Sequence, residues 1–398
     1  MKNLVIFITL GALLLSSCTF LEDAGGRSDP LDPYAKQTVS FSAGSSFDFL
    51  ISNLPLSTTV EIEPVDIVVH GRCTAGTNSG KICLDEVPYL LVEQDDPDRT
   101  KVGVFFLNSL TIEASGELDV VGDYPAMFVV LGDVQISGLI TAIPDRFSQV
   151  NGRAGGASAL RENYADGRGL GKGLSAERSS AMGAGGAAFC GKGGHGGNET
   201  SDALNGGLPY GNPSISPLLA GSTGGNGQYD YAGAGGGAIQ IVSGTRIDVL
   251  RQGVINVSGA GGQWGASGGG SGGALLLEAP HISMQGTLAA NGGGGAAGSM
   301  DGDGEAGYPS DRIALGGAKK SPGGSGGAAA SADGEDGGYD SGSGGGGLDH
   351  LGGGGGGGAG WIRLNTVDGL AEVTGLVSPY ITTGCTTLGV LLPLPKTD

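Results

Sequence analysis

The stretch "GGAIQIVSGTRIDVLRQGVINVSGAGG", residues 236–262, decides how this chain folds. It carries three apolar pairs with one residue between the members: Ile239 and Ile241, Ile247 and Val249, Ile255 and Val257. That spacing puts both members of a pair on one face of a β-strand, because strand side chains alternate between faces. The pairs recur every eight residues, with glycine and polar residues as turn punctuation between them. The design returns in "GGALLLEAPHISMQGTLAANGGGG", residues 272–295, with Leu275 and Leu277, Ile282 and Met284, Leu288 and Ala290. Ala238 and Ala274 mark equivalent points 36 residues apart, and Ile362 and Leu364 open a third copy behind a run of seven glycines.

Three short strands per unit, with the unit repeated, is the pattern of an all-β parallel β-helix or solenoid. In such a coil Ile239, Ile247 and Ile255 occupy three faces, above Leu275, Ile282 and Leu288 of the next coil. Each coil then buries apolar surface against its neighbours only. The alternative is a β-sandwich, which needs hairpin turns between successive strands, and strong Asn-Gly or Asp-Gly two-residue turn signals are not evident. No helix-length window outside the first residues shows a 3.6-residue period.

Working outward, residues 38–150 read as an N-terminal β region with the first coils. Leu110 and Ile112, Leu118 and Val120, and Val134 and Ile136 repeat the pair spacing there. Residues 236–291 are solenoid coils, and 359–398 a C-terminal coil and tail. Between them lie two long glycine-rich insertions, 151–235 and 292–358. The chain has 84 glycines among 398 residues, against about 7% in average proteins. Collagen is excluded because no strict Gly-X-Y period exists. With 39% hydrophobic residues the chain is not a disordered polar tail either. The glycine clusters flank strands, which favours extended segments bonded main chain to main chain over simple disorder. Phe189, Tyr229, Tyr231 and Trp264 are apolar anchors in or beside the first insertion. The seven glycines are expected to return the chain from a surface loop into a coil, with Ile362 and Leu364 pointing inward.

Residues 1–18, "MKNLVIFITLGALLLSSC", read as an export signal: Lys2, then an apolar run too short for a membrane span of ~20 residues. Leu15-Ser16-Ser17-Cys18 resembles the lipobox of bacterial lipoproteins, which implies acylation of Cys18, and a membrane anchor follows from the acyl chains. Thr19 rather than Asp after that cysteine implies outer-membrane sorting, by analogy with Gram-negative lipoproteins. Residues 19–37 form a flexible tether. Export makes disulfides possible. Cys73 and Cys83 bracket a turn-rich loop and pair first; Cys190 with Cys385 follows by parity, the alternative being free buried thiols. The net charge of −19 disfavours nucleic acid and anionic headgroups and attracts cations.

Three segments resemble a family of glycine-rich exported proteins of myxobacteria and related bacteria. They are "SLTIEASGELDVVGDYPAMFVVLGDVQISGLITA" (109–142), "GGHGGNETSDALNGGLPYGNPSISPLLAGSTGGNG" (193–227) and "AGGGAIQIVSGTRIDVLRQGVINVSGAGG" (234–262). The resemblance implies a cell-surface β-solenoid and brings no catalytic residues.

Catalytic motifs fail on context. The G-x-S-x-G matches at 265–269, 269–273 and 323–327 lack the helix that a nucleophile elbow requires. Gly191, Gly193 and Gly196 match G-x-G-x-x-G without a βαβ unit. His195 near Cys190 gives two metal ligands, too few for a site. Asp301, Asp303 and Glu305 alternate with small residues in a way that can wrap calcium, although solvated charges keeping a loop soluble explain them as well. Glu113, Glu117, Asp119 and Asp133 are the carboxylates a polysaccharide lyase or hydrolase would draw on, if the register put them on one face. The expectation is therefore a non-enzymatic, outer-membrane-anchored surface lipoprotein. Its role is adhesin-like or structural, with a polysaccharide or another envelope protein as partner. The alternative is a polysaccharide-acting β-helix enzyme.

Overall fold

The computed structural model describes residues 38–41, 47–55, 59–144, 153–159, 162–176, 182–197, 205–227, 231–298, 302–318, 333–335 and 352–394. Cys18, the export signal, the tether, Tyr229, Asp301 and the motif match at 323–327 lie outside them. Apart from one 3-10 turn at Ile381–Thr383, the regular secondary structure of the described residues is all β.

Successive three-strand units lie on one another in parallel. Ala126–Val130, Val134–Ile136 and Leu139–Thr141 form one unit; Ala238–Ser243, Arg246–Val249 and Val254–Asn256 form the next. Ala274–Glu278, His281–Met284 and Thr287–Ala289 follow, and then Trp361–Thr366, Glu372–Val373 and Leu376–Ser378. Each strand pairs with its counterpart in the next unit, giving three parallel ladders. Ala238 lies opposite Ala274, Ile247 opposite Ile282 and Ile255 opposite Leu288. No pair within these ladders is a hairpin, the connection a sandwich would use.

The inward columns explain why the register holds. One runs Phe105, Phe128, Ile241, Leu277, Leu364, and another Cys73, Leu118, Ile140, Ile255, Leu288, Val377. Phe105 and Phe128 stack with centroids 5.2 Å apart. A slip of one residue would turn every column outward. At the N-terminal end the stack is closed by antiparallel pieces. Tyr89–Glu93 lies on Lys101–Ile112, and Arg72–Gly76 turns back through Lys81–Ile82. The Cys73–Cys83 disulfide spans that turn, with Cα atoms 4.8 Å apart.

The first ladder is covered on its outer side too. Phe47, Phe49, Ile51 and Leu54 pack there with Phe106, Val129, Val242 and Leu276. The same segment pairs with Leu392–Pro393 near the other end of the chain. A ladder buried on both faces reads as a continuous apolar run, as "ALLL" does at 274–277.

Candidate functional site

Chain leaves the stack between the third strand of one unit and the first strand of the next, three times: at 142–237, 257–273 and 290–360. The described residues of these excursions form one body, and its hydrogen bonds follow a rule. Along 268–273, the N–H groups of Gly268 and Ser271 donate to Gly225 and Ser222; those of Gly269 and Gly272 to Gly355 and Gly358; those of Gly270 and Gly273 to Ala260 and Val257. Each third residue returns to the same neighbour. The carbonyls of Ala266 and Gly269 accept from Ala184 and Ala187; those of Ser267 and Gly270 from Ala296 and Gly293; those of Gly268 and Ser271 from Gly233 and Gly236. A period of three is that of the polyproline II helix, which makes no internal hydrogen bonds and points successive main-chain groups about 120° apart. Segment 266–273 therefore has six neighbours, three through its donors and three through its acceptors.

Only glycine permits such spacing at most of these positions. A Cβ on Gly268 would overlap the carbonyl of Gly185, one on Gly270 that of Ala234, and one on Gly355 that of Gly194. None of the three has a positive φ, so the demand is for close approach rather than for left-handed backbone. The run of seven glycines, 352–358, is a buried member of this bundle and not a surface return. Its donors reach Ala184, Ala187, Gly293 and Ala296. Residues 257–273, assigned to coils on sequence, are a third excursion whose returning arm runs inside the bundle with the six neighbours just named.

The bundle has two ends. At its base each excursion is closed by its returning arm: Gly237 N–H donates to Ala142, Gly273 to Val257 and Gly360 to Ala290. At the far end the chain turns, as at Trp264 and Gly265. The base is also tied to the stack by the Cys190–Cys385 disulfide, Cα atoms 5.7 Å apart, and by Trp361 Nε1–H donating to the Tyr210 carbonyl at 3.1 Å.

The sequence-predicted groups fall apart on this frame. Glu113 pairs with His70 at 2.7 Å, Glu117 with Arg72 at 3.3 Å and Asp119 with Arg153. Asp133 accepts from Thr245 Oγ1 at 2.5 Å. The four do not converge on one face. Ser267 and Ser271 are buried bundle members whose hydroxyls accept from Gly227 and Ser222 N–H groups. His195 Nδ1 accepts from Gly206 N–H, and Cys190 is in its disulfide. Asp303 accepts from the Trp264 N–H at 3.2 Å. Glu305 accepts from Arg312 at 2.9 Å and from Leu315 N–H at 3.0 Å. Among the described residues no three His, Cys, Asp or Glu groups cluster as a metal site, and no helix is long and apolar enough to cross a membrane.

Two features escaped the sequence reading. Glu278 is buried beneath the covering segment. Its carboxylate accepts from Ser52 Oγ at 2.7 Å, Gln240 at 2.7 Å, Asn365 at 3.0 Å and Ser52 N–H at 3.2 Å. Burial holds its pKa above the usual carboxylate value, against those hydrogen bonds. Its one signal was an acid closing the apolar run "ALLLE". The second is a shallow cleft of about 320 Å³ on the outer side of the second ladder, lined by Arg246, His281, Ser283, Asp368, Leu370 and Glu372. Asp368 is held below the usual carboxylate range by the Leu370 N–H and the Thr366 hydroxyl.

No protein-family model, curated protein or solved structure matches this chain. Its function rests on its own geometry.

Proposed function

We propose that this is an exported surface lipoprotein, held on the outer membrane by acyl chains on Cys18, that acts as an adhesin-like or structural envelope component. In this reading the stacked units are a parallel β-solenoid, and the glycine bundle is a stiff platform raised on it. The observation that carries the proposal is the polarity of the bundle. Its bases are bonded into the β units through Gly237, Gly273 and Gly360, and the described turn at Trp264 and Gly265 lies at the opposite end of its arm. Loops on a rigid scaffold are where recognition is usually placed. A polysaccharide or another envelope protein would meet that turn. Scattered, internally paired carboxylates lend the lyase or hydrolase alternative no support.

Protease shaving of intact cells, combined with a deletion strain scored for adhesion, tests the proposal. Exposure to protease and loss of adhesion are expected. Full protection together with unchanged adhesion would overturn it.

A further inference from the structure

We infer that the far end of the bundle binds a neutral polysaccharide on an aromatic platform built around Trp264 and Tyr231. This deepens the adhesin reading and rests on it. The chain runs outward along 257–263 and returns along 266–273, which puts Trp264 at the turn. Trp264 is 48% exposed, and its indole meets the Tyr231 ring edge-on at 5.8 Å, with 86° between the planes. Gln263 N–H donates to the Tyr231 carbonyl at 2.8 Å, fixing the two arms side by side. A third aromatic residue, Tyr164, reaches the same end, its N–H bonded to the Gly227 carbonyl at 3.0 Å. Gly227 in turn packs against the Gly265 carbonyl so closely that a Cβ would overlap it.

Both Trp264 (φ 45°) and Tyr164 (φ 55°) sit in the left-handed region. For bulky side chains that is a true outlier, and such strain gathers at ligand-contacting sites. A chain with 84 glycines has the unstrained residue to hand, and Gly265 (φ 49°) stands next to the tryptophan. Keeping a half-exposed indole there serves something other than the fold. Flat aromatic faces stack on the C–H face of a sugar ring, and the amphipathic ring edges share its hydroxyl-rich surroundings. The Asp303 carboxylate, bonded to the Trp264 N–H at 3.2 Å, adds an acceptor beside the ring. A net charge of −19 repels polyanions, so the ligand is an uncharged glycan.

The test is affinity electrophoresis of the full chain in native gels containing dextran, mannan or xylan, with alginate and plain gels for comparison. Retardation by at least one neutral polymer and none by alginate is expected. Trp264→Gly should weaken retardation at least tenfold while its melting temperature stays level or rises, and Trp264→Tyr should keep part of the binding. A purely structural tryptophan would instead lower the melting temperature. No retardation by any neutral polymer, retardation by alginate alone, or equal retardation of Trp264→Gly would each overturn the inference. Adhesion lost on gene deletion without glycan binding would leave the adhesin reading standing and this one refuted.

Discussion

Replacing Gly355 by alanine separates a packed bundle from a flexible linker, because the two give opposite signs. In a linker the added methyl only restricts the unfolded chain and stabilises by about 0.4–1 kcal/mol. In the bundle the methyl lands on the carbonyl of Gly194, with neighbours bonded on several sides and no side chain able to swing away. Overpacking of this kind costs about 1–3 kcal/mol. Relief requires moving Gly355 away from its partners, which strains its N–H bond to Ala184 and the bond its carbonyl accepts from Gly269, both 2.9 Å. Each is worth about 1 kcal/mol net. After subtracting the entropic gain, the loss is about 2–5 kcal/mol. Gly71 is the internal control: a methyl there would enter open space, and its φ is not positive, so Gly71→Ala should be neutral or gain up to about 1 kcal/mol. Urea unfolding of both variants, followed by circular dichroism, measures the contrast. If Gly355→Ala is as stable as Gly71→Ala, the close-packed reading of the glycine segments is wrong.

Glu278→Gln should flatten the pH dependence of stability. The folded chain holds the Glu278 proton to higher pH than the unfolded chain, so stability is fully present below the ordinary carboxylate pKa of about 4.5 and declines as pH rises through the folded value; melting curves from pH 4 to pH 8 should show this slope in the wild type and a shallower one in the variant. Leu277→Ala removes a fully buried side chain from the first inward column and should cost about 2–5 kcal/mol, read by the same urea titration. Breaking the Cys190–Cys385 bridge, which joins residues 195 apart in sequence, should cost about 2–5 kcal/mol and expose the bundle to limited proteolysis before the stack. Trp264→Gly should raise stability by about 1 kcal/mol through relief of backbone strain, measured by thermal melting.

The stack was legible because its signal is local and periodic. Ile239, Ile247 and Ile255 declare three strand faces within one unit, and the Ala238–Ala274 interval declares the register, which the ladders reproduce residue for residue. The outer covering was harder to read. Phe47 and Leu276 are far apart in sequence and come together only because a segment folds across the first ladder, and the Glu278 cluster depends on that crossing. The bundle was half legible. Clusters of glycine beside strands suggested backbone pairing, but period-three bonding leaves no trace in side chains when the residues have none. For the same reason the stretch around Trp264, flanked by clear strands, read as part of a coil.

The two parts of the molecule solve the problem of backbone polarity by different means, and one depends on the other. In the stack, each strand satisfies its N–H and C=O groups with two neighbours, and apolar columns supply the driving force. In the bundle nearly every contact is main chain to main chain, so little apolar area is buried there and each glycine loses more conformational freedom than any other residue. Such a lattice gains by satisfying donors and acceptors all round, at about 1 kcal/mol net per bond, a margin too thin to order loose segments alone. The stack offsets this by fixing both ends of each excursion. The strands entering and leaving are held one above another, and Gly237, Gly273 and Gly360 close against Ala142, Val257 and Ala290 at the foot of each excursion. The Ala274 and Trp361 N–H groups then donate to Gly237 and Gly273, aligning successive returning arms side by side. A glycine sequence with no side-chain code for register thus takes its register from the strands at its base.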